Sequence, residues 1–436
     1  MSQSQKLYEK AKKLIPGGTQ LLSKRPEMIL PDLWPTYYKT AKGCEVVDLE
    51  KNRYIDFSYM GFGSCILGYS DPDVNNAVKK AIDKGSMTTL NCVEEVELSQ
   101  ILCNIHPWAR MVRFARTGGE AMAIAVRIAR AKSGKDLILF CGYHGWHDWY
   151  LAANIADDRA LDGHLLAGLA PKGVPRVLKG TAIPFEYNDT EDFLRQIKKH
   201  GNNIGAVVME PLRSYYPKDG FIEAVRRETR RLDIPLIFDE ITSGWRLNLG
   251  GAHLNFGIEP DIAVFGKAMS NGYPMAAIIG RQEVMKATNE TFISSTYWTE
   301  RIGPVAALAT IRKLKKYKAQ DHLITIGRKV QDGWKRLANK HNLDINIYGI
   351  YPLCHFSFNY KNSLTLKTLF TQQMLEKGFL ATTAFYASYA HKESHVNKYL
   401  IAVNDVFYLL KKAMREGKPE RYLNGPVCHS GFRRLT

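Results

Sequence analysis

Residues 111–132 read MVRFARTGGEAMAIAVRIARAK, and the pattern of this stretch indicates the fold class. A short apolar run, Met111–Ala115, leads into a glycine pair and then into a helical pattern of small and apolar residues. A short apolar run bounded by turn signals is typical of a buried strand. The stretch therefore predicts a strand, a tight turn and a helix, which is the repeating unit of an α/β fold.

Similar apolar runs recur between helical patterns in the middle of the chain. They are Met111–Ala115, Leu137–Phe140, Gly205–Met209, Pro235–Phe238, Ile262–Phe265 and Ala276–Ile279. Runs that are apolar on both faces predict the strands of a mainly parallel sheet covered by helices on both sides. In such a sheet ligands bind at the carboxyl ends of the strands, so we expect functional residues just after the runs.

The two ends of the chain differ from this middle part. Near the N-terminus a lysine-rich helical pattern is followed by Glu45–Phe57, which predicts a hairpin that turns at Glu50–Arg53. After residue 315 a second lysine-rich helix precedes alternating apolar residues in Ile345–Asn359 and a helical pattern in Ser363–Lys377. We therefore expect an N-terminal segment 1–70, a large domain 71–315 and a C-terminal α+β unit 316–436.

Composition limits the class of protein. The 436 residues are too many for one compact core, and no run of 18 apolar residues indicates a membrane span. Seven scattered cysteines form no CxxC pair, and no Cys/His cluster or HExxH motif indicates a metal site. A reduced, cytoplasmic setting is expected.

The net charge of +17 has two interpretations. It favours an anionic partner, such as a phosphate, a nucleotide-linked substrate or nucleic acid, or it reflects an ordinary solvated basic surface. No zinc finger, basic zipper or RNA-binding aromatic platform is present in the sequence, so nucleic acid is a minor hypothesis.

The glycine pair after the first apolar run predicts a phosphate site. Gly118 and Gly119 let backbone N–H groups approach an anion, the helix dipole favours negative charge there, and Thr117 adds a hydroxyl. Many strand–glycine–helix turns bind no anion, so the turn alone does not decide the function. It is not a Walker loop, because no GxxxxGK[ST] pattern follows.

Two further runs end in ionisable residues. IPLIFDEI (234–241) places Asp239 at a strand end, where a buried carboxylate suits a cationic ring nitrogen, although a loop aspartate that caps the next turn would look the same. DIAVFGKAMSNG (261–272) places Lys267 at another strand end. A lysine partly desolvated there is a nucleophile towards aldehydes, whereas a surface lysine would be inert.

An aromatic segment, GYHGWHDW (142–149), follows the run Leu137–Phe140. Tyr143 between glycines is placed to stack on a flat ring, although an aromatic core cluster has the same appearance. His144 and His147 are either acid–base groups or structural histidines. A phosphate site, a stacking aromatic, a carboxylate and a lysine, each at a strand end, together predict a site for pyridoxal phosphate.

At this point the sequence resembles the class III, fold type I, pyridoxal-phosphate aminotransferases, in the branch of glutamate-1-semialdehyde aminomutase. The resemblance covers nearly the whole chain and is carried by PGG (16–18), VVDLEKNRYIDF, TGGEA, YHGWHDW, MEP (209–211), FDEITSGWR, GKAMSNGYP and QMLEKGFLATTAFYASYAH. It implies a large domain with a mainly parallel seven-stranded sheet flanked by helices. It also implies a smaller α+β domain built from both chain ends.

The resemblance implies a role for each matching residue. Lys267 would hold the cofactor as a Schiff base and move a proton, Asp239 would keep the ring nitrogen protonated, and Tyr143 and Ile241 would cover the two ring faces. The complete cofactor-binding set would be Thr117, Gly118, Gly119, Tyr143, His144, Glu210, Asp239, Ile241, Lys267 and Thr296. Thr296, with Thr299 as the alternative, would come from the partner subunit of a homodimer whose active sites are shared.

Several positions depart from the family pattern. The serine-glycine-threonine phosphate site is replaced by Thr117-Gly118-Gly119, and bulky Tyr297-Trp298 follow the partner threonine. Lys24 or Arg25 stands in the stretch where the aminomutase binds the substrate carboxylate, and Tyr386 replaces an acidic residue. These departures argue against aminomutase activity and favour a transaminase.

We therefore expect an aminotransferase that takes an amino group from an amino acid, L-glutamate first, to an aldehyde or ketone. The basic balance favours an anionic acceptor, such as a phosphorylated, nucleotide-linked or acidic sugar. One alternative is an intramolecular 2,1-amino shift, and a second is a non-catalytic binding protein on the same fold.

Overall fold

The computed structural model describes residues 1–164, 167–212 and 214–431. The chain forms two compact units. The terminal unit consists of Met1–Asp71 and Asp321–Thr436, and the central unit consists of Pro72–Gln320.

The strands are numbered in chain order. They are β1 Tyr38–Lys42, β2 Glu45–Asp48, β3 Arg53–Phe57, β4 Met111–Ala115, β5 Leu137–Cys141, β6 Ala182–Pro184, β7 Ile204–Met209, β8 Leu236–Asp239, β9 Ile262–Phe265, β10 Ala276–Gly280, β11 Ile345–Ile350, β12 Leu353–Phe358, β13 Phe379–Ala381 and β14 Ala384–Tyr386.

The α-helices are numbered in the same way. They are α1 Gln3–Leu14, α2 Pro72–Asp83, α3 Val93–Ile105, α4 Gly118–Ser133, α5 Asp148–Leu151, α6 Ala153–Ala156, α7 Thr190–His200, α8 Phe221–Arg231, α9 Gln282–Met285, α10 Ile302–Tyr317, α11 Ala319–His341, α12 Ser363–Glu376 and α13 Glu393–Arg415. No helix in the described part of the chain is long and apolar enough to cross a membrane.

The central unit contains a seven-stranded sheet with the order β4-β10-β9-β8-β7-β5-β6. β10 pairs antiparallel with both β4 and β9, whereas β5 to β9 pair in parallel. The predicted fold type I architecture, with a mainly parallel seven-stranded sheet, is therefore confirmed. β6 was not predicted, because an edge strand of three residues is too short to show a hydrophobic periodicity.

Helices cover both faces of this sheet. Ile138 and Phe140 of β5 pack with the buried face of α4, whereas Leu137 and Leu139 pack with apolar residues of α7 and α8. Successive residues of a strand point to opposite faces, so a run that is apolar at every position needs a cover on both sides.

Glycines mark both ends of α4. The helix starts at Gly118 and runs for 16 residues to Ser133, where Gly134 adopts a left-handed conformation with φ 66°. A glycine at this position is the usual helix stop, and the basic residues of the last turn complement the helix dipole. The N-terminus of α4 is thus fixed at the end of β4.

The terminal unit combines the two ends of the chain. β2 and β3 form the predicted hairpin, and β13 pairs in parallel with β3, so that Phe379 lies opposite Ile55. A separate three-stranded sheet has the order β11-β12-β14. This arrangement confirms the smaller α+β domain built from both ends, although β1, which is mostly exposed, was not predicted.

Candidate active site

Four neighbouring strands of the central sheet end in the residues that the sequence analysis selected. β5 leads to Tyr143, β7 to Glu210 and β9 to Lys267, while Asp239 is the last residue of β8. β5, β7, β8 and β9 are adjacent in the sheet, and Asp239 lies opposite Val264, three residues before Lys267. Their parallel pairing brings the strand ends to one edge.

The glycine turn at the start of α4 lies between two side chains. A Cβ atom on Gly118 would lie 2.9 Å from Cδ1 of Ile241, and one on Gly119 would lie 3.1 Å from Nδ1 of His147. A side chain at either position would require Ile241 or His147 to move, so the turn is closely packed around its glycines. Ile241 also lies against Gly266, where a Cβ would be 3.5 Å from its Cγ2, and so connects the turn to the strand end that carries Lys267.

Thr117 takes part in a capping interaction at the start of α4. The Glu120 carboxylate accepts hydrogen bonds from the backbone N–H groups of Arg116 and Thr117, at 3.0 and 3.2 Å. The Thr117 hydroxyl lies 3.4 Å from the same carboxylate. Glu120 thereby turns its carboxylate back towards the entry of the helix, where it binds two backbone N–H groups.

A buried pair of side chains occupies the centre of the strand edge. His144 Nδ1 lies 2.9 Å from Oδ2 of Asp239, and His144 Nε2 lies 3.1 Å from the carbonyl oxygen of Cys141. The ring is thus held between the Asp239 carboxylate and the backbone. Asp239 also accepts from the backbone N–H of Ile241 at 3.0 Å, and it is only 3% exposed. The carboxylate is thus fixed by hydrogen bonds and shielded from bulk water.

Lys267 adopts a strained backbone conformation. Its φ is 41°, in the left-handed region that few residues other than glycine adopt. Strain of this kind is concentrated at functional sites, because the surrounding structure must hold it in place. The ammonium group donates to the hydroxyl of Thr242 at 2.7 Å, and Thr242 follows Ile241 directly in the chain.

The backbone of Tyr143 is held by Glu210. The N–H of Tyr143 donates to Oε2 of Glu210 at 3.1 Å, and the backbone N–H of Glu210 donates to the carbonyl of Cys141 at 3.2 Å. Glu210 is 6% exposed, so its carboxylate is removed from bulk water. These two bonds fix the segment that carries the aromatic ring.

A second buried network lies directly behind Asp239. Glu240 accepts from the Ser243 hydroxyl at 2.6 Å and from both the backbone N–H and Nδ1 of His253 at 2.9 Å. Trp108 Nε1 donates to His253 Nε2 at 3.2 Å, which leaves the imidazole proton on Nδ1. Burial raises the pKa of Glu240, but these hydrogen bonds, first of all that from His253, lower it below its usual value. The end of β8 is therefore held by charge-assisted bonds on both of its acidic residues.

The two candidate partner threonines form a short turn of their own. Thr296 and Thr299 belong to an exposed 3-10 turn, in which the Thr299 hydroxyl donates to the Thr296 carbonyl at 3.0 Å. In the described part of the chain no hydrogen bond joins either hydroxyl to Thr117, Gly118 or Gly119 of the same chain.

The other predicted specificity positions belong to the terminal unit. The Arg25 guanidinium lies where a side chain on Gly17 would be, and its Nε is buried without a hydrogen-bond partner. Tyr386 is 9% exposed and makes edge-on ring contacts with Tyr59 and His355 at 5.5 and 5.6 Å. An apolar aromatic cluster thus occupies the position of the acidic residue.

Comparison with known proteins identifies the family. A model of the class-III aminotransferases matches residues 31–389. The chain belongs to the class-III aminotransferases. A 3-aminobutyryl-CoA aminotransferase of Cloacimonas acidaminovorans is 30% identical over 95% of this chain and 99% of its own. A glutamate-1-semialdehyde 2,1-aminomutase of Methanocaldococcus jannaschii is 32% identical over 93% and 98%, respectively.

A solved structure shows the same fold. The FumI protein of Sphingopyxis sp. MTA144, determined with pyridoxal phosphate, superimposes with a TM-score of 0.87 at 22% identity and covers 96% of this chain and 99% of that one. This class-III aminotransferase is a pyridoxal-phosphate-dependent transaminase.

The geometry of the site fits the family's cofactor. The glycine turn begins α4, where the helix dipole and the first backbone N–H groups favour a phosphate. The buried Asp239 carboxylate suits a ring nitrogen, and Ile241 lies between the glycine turn and the Lys267 strand end. Sequence reasoning missed Thr242 and Glu120, whose hydroxyl and carboxylate make ordinary local patterns; only their contacts with Lys267 and Thr117 reveal them.

Proposed function

We propose that this aminotransferase moves an amino group from L-glutamate to an anionic aldehyde or ketone. The proposal rests on one observation above all: Lys267 and the Asp239–His144 pair lie at the ends of adjacent parallel strands, and Ile241 links the glycine turn to them. Pyridoxal phosphate, when bound, supplies a ring that stabilises negative charge at the substrate carbon.

The chain's own residues have distinct tasks in this proposal. The Lys267 amine removes a proton from the substrate carbon and returns it, and Thr242 orients that amine. Asp239, fixed by His144, would bind the ring nitrogen and keep it protonated. Tyr143 and Ile241 would cover the two ring faces, and Thr117, Gly118 and Gly119 would bind the phosphate. Glu210 holds the backbone of Tyr143.

The charge of the chain supports an anionic acceptor. A net charge of +17 raises the local concentration of anions around the protein. The relative from Cloacimonas is named for a coenzyme A thioester, which is a nucleotide-linked anion. We therefore propose an acceptor that carries phosphate or a nucleotide, with phosphorylated or nucleotide-linked sugars and acyl-CoA compounds as the first candidates.

An intramolecular 2,1-amino shift is the second candidate, because aminomutases are equally similar in sequence. Tyr386 stands where the aminomutase pattern has an acidic residue, and Arg25, one of the two candidates for its carboxylate-binding group, packs against the Gly17 turn. These differences favour the transaminase.

We further propose a homodimer in which Thr296 or Thr299 of one subunit completes the phosphate site of the other. Exposed apolar side chains surround this turn and the glycine turn, including Phe292 at 83%, Tyr297 at 70% and Trp146 at 70%. Such side chains are typical of a surface that is covered in an assembly.

The test uses the purified protein loaded with pyridoxal phosphate. On addition of L-glutamate alone, the visible absorbance of the cofactor should decrease while one equivalent of 2-oxoglutarate appears. A panel of phosphorylated sugars, nucleotide-linked ketosugars and acyl-CoA carbonyls should then restore the band. An unchanged band with glutamate, together with turnover of glutamate-1-semialdehyde without a donor, would replace the proposal by the amino shift.

A further inference from the structure

We propose that His164 is a positioning residue that fixes the turn carrying Tyr143 and His144. The backbone N–H of Gly142 donates to Nδ1 of His164 at 3.2 Å. The inference deepens the proposed function, since it rests on the cofactor-binding roles of Tyr143 and His144.

The peptide groups around Gly142 are held by side chains instead of by a strand. The Gly142 carbonyl accepts from the Tyr150 hydroxyl at 3.0 Å, and the next N–H, that of Tyr143, donates to Glu210 at 3.1 Å. With the bond to His164, three side chains from three different segments bind two successive residues. These three bonds fix the backbone that carries the Tyr143 ring.

The conformation of Gly142 explains why such restraint is needed. Its φ is 110°, a region that other residues rarely adopt, and a Cβ atom there would lie 2.7 Å from Oε2 of Glu210. Only glycine fits, and glycine is also the residue with the greatest backbone freedom. A turn that must contain glycine and must also hold a ring in place requires external hydrogen bonds.

His164 is itself anchored to the body of the central unit. Its backbone N–H donates to the carbonyl of Leu161 at 3.1 Å, and Leu161, which is fully buried, donates its own N–H to the Asn154 side chain at 3.0 Å. The His164 ring packs against Phe140 of β5 with 5.4 Å between centroids. The imidazole is therefore a rigid acceptor.

The protonation state of His164 suits this task. Burial, together with the nearby His144, lowers the pKa of His164 to about 4, so the ring is neutral in ordinary buffers. Because Nδ1 accepts from Gly142, the proton of the neutral ring lies on Nε2. The acceptor is thus maintained in buffers well above pH 4.

The experiment compares two substitutions of His164 in the holoenzyme. His164→Phe keeps a ring of similar size but lacks the acceptor, whereas an asparagine oxygen can take the place of Nδ1 in His164→Asn. The readouts are hydrogen exchange at the Gly142 amide, the visible circular dichroism of the bound cofactor and its dissociation constant. His200→Phe, at the end of α7, is the matched control for a lost imidazole.

For His164→Phe we expect at least tenfold faster exchange at Gly142, a weaker visible dichroism band and about tenfold weaker cofactor binding. The kcat with L-glutamate should fall more than KM rises. His164→Asn should recover most of each signal, and His200→Phe should match the wild type. If His164→Phe does not fold, Tyr150→Phe, which frees the Gly142 carbonyl, should give the same changes.

Unchanged exchange and dichroism in the folded His164→Phe protein would overturn the inference. So would equal losses in His164→Phe and His164→Asn, because a role in packing alone predicts that pattern. Failure of the proposed function is a separate result: the wild type would show no response to L-glutamate, while the exchange at Gly142 would still report on the contact.

Discussion

Lys267 combines an unusual backbone conformation with a hydrogen bond from its amine to the Thr242 hydroxyl at 2.7 Å. A lysine that acts as a base at the substrate carbon cannot be replaced by an inert side chain. For Lys267→Ala we expect turnover to fall on the order of 10³-fold or more, with the fold retained. Steady-state kinetics with circular dichroism checks this, and Lys198→Ala on the exposed face of α7 is the control. Wild-type turnover in Lys267→Ala would remove the residue from the mechanism.

Thr242 offers a more graded test of the same group. Its hydroxyl accepts from a charged donor, and such a bond is worth about 1–3 kcal/mol. Thr242→Val should therefore lower kcat by about 5- to 100-fold, whereas Thr242→Ser, which keeps the acceptor, should stay within about threefold of the wild type. Kinetics of both variants with L-glutamate measures the difference. Equal effects of the two substitutions would mean that the methyl group, not the hydroxyl, is needed.

For single residues, the sequence predicted the reactive side chains better than the side chains that position them. The chemistry of Lys267, Asp239 and Tyr143 can be recognised from the residue type alone. Each of the three also follows or ends an apolar run. Thr242 and His164 could not be recognised in this way, because polar residues of these types are common in loops. Their significance arises from contacts with Lys267 and Gly142, and one of these contacts joins residues 22 positions apart.

Among the elements, the junction of β4 and α4 depends most on shape. A methyl group at Gly118 would lie 2.9 Å from Cδ1 of Ile241, and overpacking of this kind costs about 1–3 kcal/mol. Gly118→Ala should therefore weaken binding of pyridoxal phosphate by about 5- to 100-fold in a spectroscopic titration.

Ile241, the residue that a side chain at position 118 would contact, provides the control for this expectation. Ile241→Val removes Cδ1, so the double variant should bind the cofactor more tightly than Gly118→Ala alone, although Ile241→Val by itself should have a small effect. Additive losses in the double variant would show that the contact with Ile241 is not the cause.

The elements were predicted where periodicity was strong and missed where it was weak. The runs that became β7, β8 and β9 are buried at every position. β6 is Ala182-Ile183-Pro184, in which the last residue has no N–H, and β1 reads YKTAK with four exposed residues. Neither segment has an apolar face long enough to be recognised, and both depend on pairing with a neighbouring strand.

For the whole molecule, buried histidines predict sensitivity to acid. Burial lowers the pKa of His106 and of His391 to about 4, and both side chains are 0% exposed. Each ring uses one nitrogen to accept from a backbone N–H, that of Gly251 or of Ser388, so protonation removes an acceptor.

The direction of this pH dependence follows from the pKa values of the histidines in the folded and unfolded chain. The folded pKa lies below the value of about 6.5 for an unfolded histidine, so the unfolded chain binds more protons between these values. Above pH 6.5 these two histidines should not change the free energy of unfolding. As the pH drops towards 4, the free energy of unfolding should fall by on the order of 3 kcal/mol for each histidine. Urea unfolding at several pH values measures it.

A substitution separates these histidines from the carboxylates that also titrate in acid. His106→Asn should reduce the pH dependence of the free energy of unfolding between pH 6.5 and 4.5, whereas His341→Asn on α11 should leave it unchanged. An identical pH dependence in wild type and His106→Asn would contradict the assignment.

The order of the strands could not be predicted from the sequence, although the fold class could. The alternation of runs and helices is local, but the antiparallel insertion of β10 between β4 and β9 depends on pairing across more than a hundred residues. Likewise, nothing near Arg53–Phe57 indicates that its parallel neighbour is Phe379–Ala381.

That last pairing has a consequence for the chain during its synthesis. Phe57 ends β3, and the strand that covers its edge begins at Phe379, so roughly 320 residues must be translated in between. At about 5–20 residues per second, the nascent protein leaves this edge open for on the order of 20–60 s. An uncovered strand edge invites pairing with other chains. Ribosome-bound intermediates of this enzyme should therefore need chaperone protection until the C-terminal region emerges.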